Sequence, residues 1–178
     1  LRIQHGFDAI SLMPTNLYGT GDNYHPTKSH VLPALLRRFH EAKERGDSTV
    51  TCWGSGAPLR EFLHADDLGD ACVFALQHWS PLGSDPPCDS SGQPLSFLNV
   101  GTGIDISIRA LAEKISKVVQ FQGGITWDVS KPDGTPKKQL NVNRLETMGW
   151  KASISLEDGL ALAYRDFQKG LLSESLRT

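Results

Sequence analysis

The sequence is sparing with cysteine: three in 178 residues, at positions 52, 72 and 88. This odd, widely spaced set reads as neither a disulfide framework nor a metal cluster. A reducing, cytoplasmic setting and no bound metal are the expectations. No apolar run is long enough to span a bilayer, so no membrane partner is expected. Charge of one sign is also scarce: 18 basic against 20 acidic residues leave a net −2. Nucleic acid is therefore not expected as a partner. The one basic cluster, Arg37, Arg38, Lys43 and Arg45, is interrupted by Glu41 and Glu44, as on a solvated helix face. A dinucleotide fingerprint is missing too. G-S-G at 54–56 and G-T-G at 101–103 lack the later glycine of G-x-G-x-x-G. No internal repeat stands out.

What is present is apolar content of 39%, enough for one globular domain or one and a fraction. Hydrophobic patterning predicts a buried strand at 9–13 and a turn-rich loop at 14–28. A helix follows, capped by Ser29 and ended by Gly46, with Leu32, Leu35, Leu36 and Phe39 as its apolar stripe. Strands are expected at 50–53, 60–64, 97–100 and 125–128. Helices are expected from Asp66 or Asp67 to Trp79, from a Ser107 cap to Val119, at 143–148, and from 155 to about 169. The segments 81–94 and 130–138 read as loops. Strands alternating with helices indicate an α/β chain.

Tyr24 and Lys28 have the Tyr-x-x-x-Lys spacing of short-chain dehydrogenases. Positions i and i+4 converge only on a helix, and Pro26 lies between them. The pair reads as a coincidence in a loop.

The run M-P-T-N-L-Y-G-T-G-D-N-Y-H-P-T-K-S-H-V-L-P-A-L-L-R-R-F resembles the GDP-L-fucose synthase family, which are extended short-chain dehydrogenases. W-G-S-G-A-P-L-R-E-F-L-H-A-D-D, N-V-G-T-G, K-P-D-G-T-P-K-K and M-G-W follow in the family's order, so the resemblance spans nearly the whole chain. It implies the C-terminal part of such an enzyme. The end of a Rossmann sheet would lie at 1–18. A smaller mixed α/β substrate domain would cover 19–178, with some elements returning to the Rossmann sheet. The start at Leu1, close to a strand, reads as a fragment. The implied reaction is C3/C5 epimerisation and NADPH-dependent C4 reduction of GDP-4-keto-6-deoxy-D-mannose by a homodimer. The family's catalytic Tyr-x-x-x-Lys pair, glycine-rich loop and partner cysteine are not in this sequence, so no turnover is expected of this chain alone.

The resemblance also carries site residues. It puts cofactor contacts, to NADP(H), on Pro14, Thr15, Asn16 and Leu17 at a strand end, where open α/β sheets bind ligands; the plain alternative is a strand-to-loop turn. It makes His30 the acid of the epimerisation, close to the cofactor; in isolation His30 reads as a surface histidine at a helix start. Arg38, Trp53, Arg60, Asp133 and Lys138 become contacts to the GDP-sugar. Helix angles support Arg38 over Arg37: at about 100° per residue, Arg37 points away from the core and Arg38 flanks its edge. A surface ion pair of Arg38 with Glu41 or Asp47 stays open, as does core or lid packing for Trp53. Asp66 and Asp67 read as helix caps. Two other functions stay open: a different nucleotide-sugar epimerase, reductase or dehydratase, and a non-catalytic nucleotide-sugar binding module.

Overall fold

The computed structural model describes residues 2–7 and 9–177. A one-turn helix α1 (Arg2–His5) precedes strands β1 (Ser11–Pro14) and β2 (Asn16–Tyr18), then helix α2 (Val31–Arg45). Strands β3 (Thr49–Trp53) and β4 (Leu59–His64) lead into α3 (Ala65–His78). Next come β5 (Phe97–Val100), β6 (Asp105–Ser107), α4 (Ile108–Val119) and β7 (Gly124–Asp128). Strand β8 (Lys137–Lys138), α5 (Asn143–Thr147) and α6 (Leu156–Leu172) complete the order. The α/β class expected from the sequence is the one observed.

Local chemistry explains most of these elements. The α2 stripe of Leu32, Leu35, Leu36 and Phe39 is buried, and Gly46 closes the helix in the left-handed region at φ 70°. Ser107 caps α4 by accepting from the Ala110 N–H, and Ser155 caps α6 by accepting from the Asp158 N–H. Strand β3 alternates, with Val50 and Cys52 inward and Thr49, Thr51 and Trp53 outward.

Strand β4 joins everything. Its first half pairs antiparallel with β6 and parallel with β8; its second half pairs parallel with β2. Neighbouring residues on a strand face opposite ways. Phe62 therefore enters one core, with α2, β3, α4 and α6, while Leu63 enters the other, with α3, β5, Leu145 and Trp150. The remaining sheets are parallel pairs, β1 with β5 and β3 with β7.

Several expectations are corrected. The strand predicted at 9–13 runs Ser11–Pro14 and is largely exposed; β5 is its sheet neighbour. The 14–28 loop contains β2, and the 130–138 loop contains β8, each held by β4 and not by local propensity. The short strand β6 was not foreseen. His30, not Ser29, is the N-cap of α2, without a side-chain cap bond. His64 caps α3 through its ring, accepting from the Asp66 N–H. Asp67 is buried and instead accepts from Ser153 N, Ser153 Oγ and Ile154 N, tethering the chain before α6. Arg37 is not a free surface cation. It donates to the Tyr24 carbonyl at 2.8 Å and pairs with Glu41.

Gly159 in α6 packs directly on Tyr18, where an added Cβ would lie 2.1 Å from the phenolic oxygen. Alanine in an exposed helix gains up to about 1 kcal/mol over glycine. Here overpacking outweighs that gain: Gly159→Ala is expected to destabilise by about 1–3 kcal/mol in urea unfolding. A stabilised variant would contradict the packing described.

Candidate active site

The turn after β3 is built from G-S-G. Gly54 and Gly56 both have φ 76°, a region costly for other residues, and a Cβ on Gly56 would sit 2.6 Å from the Trp127 ring. Ser55 is gripped from two sides. Its N–H and hydroxyl donate to the Asp133 carboxylate at 2.9 and 2.6 Å. Its carbonyl accepts from Arg109 Nη2 at 2.6 Å, and Arg109 lies over Trp127, 4.6 Å from the ring centre. These Ser55 bonds hold the Asp133 carboxyl below its ordinary pKa. Beside the turn, Trp53 is 65% exposed between two cations: Arg38 at 5.6 Å and Lys131 at 5.9 Å from its ring centre. Arg38 also donates to the Thr51 carbonyl.

The next feature is the pairing of β8 with β4. Arg60 is in register with Lys138, and its Nη1 donates to the Leu59 and Thr135 carbonyls, both at 2.7 Å. Lys137 pairs with Asp105 at 3.0 Å, whereas Lys138 has no carboxylate partner among the described residues. Pro14, Thr15 and Asn16 line one cavity of about 340 Å³ with Lys137, Lys138, Gln139 and Leu140. That is the lower end of the range for small-molecule sites. Thr15 Oγ1 and Asn16 Nδ2 both donate to the Glu61 carbonyl, at 3.1 and 2.8 Å. Two larger hollows, of about 640 and 760 Å³, lie elsewhere. None of the residues singled out from the sequence as site residues lines either of them.

The sequence-derived residues thus fall into linked groups. Pro14, Thr15, Asn16 and Lys138 share the cavity, Arg38 and Trp53 stack, and Arg60 and Asp133 hold two parts of the 131–138 loop. Leu17 is turned into the second core. His30 is exposed at the start of α2, with Asp22 as an electrostatic neighbour. Burial raises the Asp22 carboxyl, a backbone bond with Asn23 lowers it, and the His30 and Arg177 charges lower it further. Tyr24 and Lys28 do not form a pair. Tyr24 is buried, its hydroxyl donating to the Ala163 carbonyl, and burial raises its pKa; Lys28 is exposed. Three residues were missed: Ser55, Arg109 and the buried Glu61. A charged residue inside the strand-like run R-E-F-L-H was the available signal for Glu61.

The NAD dependent epimerase/dehydratase family matches residues 1–84. A probable GDP-L-fucose synthase 1 from Oryza sativa subsp. japonica is 51% identical over 172 residues, which are 97% of this chain and 48% of the relative. A GDP-L-fucose synthase from Escherichia coli (strain K12) is 51% identical over 164 residues, 92% of this chain and 50% of the relative. The chain is therefore similar to this family over residues 1–84 and to these synthases over nearly its whole length. It spans about half the length of the curated relatives it matches. Among similar solved structures is a GDP-mannoheptose C4 reductase from Campylobacter jejuni with NADP bound. It superposes with a TM-score of 0.76 at 30% identity, covering 94% of this chain and 55% of that one. Among the described residues no helix is long and apolar enough to cross a membrane.

The Asp133–Ser55 contact has a defined pH dependence. A depressed carboxyl keeps its contact above the ordinary value, 3.8, and loses it only as pH falls through the lower folded value. A carboxyl titration followed by NMR is expected to give Asp133 a midpoint below 3.8, with the Ser55 amide shifting in step. A midpoint at or above 3.8 would mean the contact does not persist in solution.

Proposed function

We propose that this chain is the nucleotide-sugar-handling part of a GDP-L-fucose synthase. The parent enzyme epimerises GDP-4-keto-6-deoxy-D-mannose at C3 and C5 and reduces C4 with NADPH, acting as a cytoplasmic homodimer. The observation that carries this reading is the shared cavity of Pro14–Asn16 and Lys138, with Arg60 in register beside it. One wall is a strand-end turn suited to a cofactor. The other offers a lysine free of carboxylate partners among the described residues, suited to a diphosphate. Identity of 51% to two curated GDP-L-fucose synthases over nearly the whole chain favours the fucose reaction.

In this proposal Pro14, Thr15, Asn16 and Leu17 border the nicotinamide end of NADP(H). The fit is to that end alone, because this sequence carries no glycine-rich phosphate loop. The Thr15 and Asn16 side-chain donors are spent on Glu61, which leaves a turn fixed in shape. When bound, NADPH supplies the hydride for C4. Epimerisation removes a proton alpha to the C4 ketone and returns one to the opposite face. We assign the returned proton to His30, an exposed imidazole with no side-chain bond at its helix start. Arg38, Arg60 and Lys138 bind the diphosphate, Trp53 packs on the nucleotide or sugar, and Asp133 accepts hydroxyl or guanine hydrogen bonds. The second core, with β1, β5 and α3, is the part we assign to the cofactor domain, and the first core to the substrate domain.

Calorimetric titration with GDP-mannose tests the proposal. The chain is expected to bind, and Lys138→Ala to weaken binding roughly ten- to hundredfold, the worth of a charge-assisted phosphate contact. Lys138 is a cleaner probe than Arg60, which also supports the loop. Unchanged affinity in Lys138→Ala would remove the cavity from the reading. NADPH oxidation by this chain alone is expected to be absent.

A further inference from the structure

Glu61 is fully buried, 0% exposed, and no cation pairs with its carboxylate among the described residues. Backbone donors solvate it instead. Oε1 accepts from Thr102 N at 2.6 Å and Gly103 N at 2.8 Å, with the Thr102 hydroxyl at 3.5 Å. Oε2 accepts from Leu140 N at 2.9 Å. Gly101 must lack a side chain, since a Cβ there would sit 2.1 Å from Oε1. The carbonyl of the same residue takes the Thr15 and Asn16 side chains. One residue therefore ties down three segments far apart in sequence: the 14–16 turn, the G-T-G turn and the end of the 131–140 loop.

Two of those segments supply the walls of the 340 Å³ cavity. We infer that Glu61 is a positioning residue. It sets the distance between the cofactor-side turn Pro14–Asn16 and the nucleotide-side residue Lys138 without touching either ligand. This rests on the proposed function, because only there do the two walls hold the two halves of one reaction. The chemistry explains why a carboxylate is required. Three N–H groups converge on the site from both sides, so both oxygens must accept. Glutamine can keep one oxygen on the G-T-G amides, but then its NH₂ faces the Leu140 N–H, donor against donor. Glu61→Gln should thus release the 137–140 wall selectively.

The test combines hydrogen exchange with a double-mutant cycle on the full chain. In Glu61→Gln the Leu140 amide is expected to exchange roughly ten- to hundredfold faster, with Thr102 and Gly103 changing less. With GDP-mannose as probe, Lys138→Ala should cost roughly ten- to hundredfold in the native chain but less than about threefold in the Glu61→Gln background, because Lys138 is no longer held in place. Equal losses in both backgrounds, or Leu140 exchange no faster than that of the G-T-G amides, would overturn the inference. If Glu61→Gln fails to fold, Leu140→Pro removes the N–H that Oε2 accepts from, and the same non-additivity with Lys138→Ala is expected. If the native chain does not bind GDP-mannose, the functional reading fails, and Leu140 exchange still decides whether Glu61 holds the wall.

Discussion

Burial of β4 on both faces is the constraint from which the rest of the molecule follows. A strand with one wet face alternates polar and apolar residues, whereas R-E-F-L-H has four consecutive buried positions, Glu61 to His64. Phe62 and Leu63 face separate cores, and burying such side chains contributes about 1.5–3 kcal/mol each. Displacing β4 would open both cores at once. It would also detach β2, β6 and β8, since among the described residues all three pair only with this strand. The site inherits its rigidity from the same source: Arg60 and Glu61 are the residues just before the doubly buried pair.

Helix placement was legible because helices carry local signals. Ser107 caps α4 as expected, and the α2 stripe is buried as its periodicity requires. Strands β2, β6 and β8 were not legible. They hold three, three and two residues, too few for a period, and their partner lies elsewhere in the chain. Asp67 shows a related limit. A carboxylate in the first turn of a helix reads as a dipole contact, yet this one turns inward to hold residues 153 and 154. Arg37 was misjudged from helix angles alone, because the Tyr24 loop folds back over that face of α2.

For the proposed site, family motifs supplied the candidate residues but not their present partners. Arg38 does stack on Trp53, yet Asp133 and Arg60 spend hydrogen-bonding capacity on Ser55 and Thr135 within the protein. Glu61 and Arg109 lay outside the motif-based assignment. Their role is to satisfy backbone groups at turns, and turn geometry is set by glycine conformations that a linear pattern does not specify.

The 131–138 loop has a consequence for energetics. Its Asp133, its Thr135 carbonyl and its Lys131 are engaged with Ser55, Arg60 and Trp53 respectively. Under the proposed function, the protein thus acts as an internal competitor for its own recognition groups. An incoming ligand that uses Asp133, Arg60 or Trp53 exchanges one set of contacts for another of similar kind. Its net affinity comes from the difference between them, and selectivity follows from how well each hydroxyl or phosphate replaces the contact it displaces.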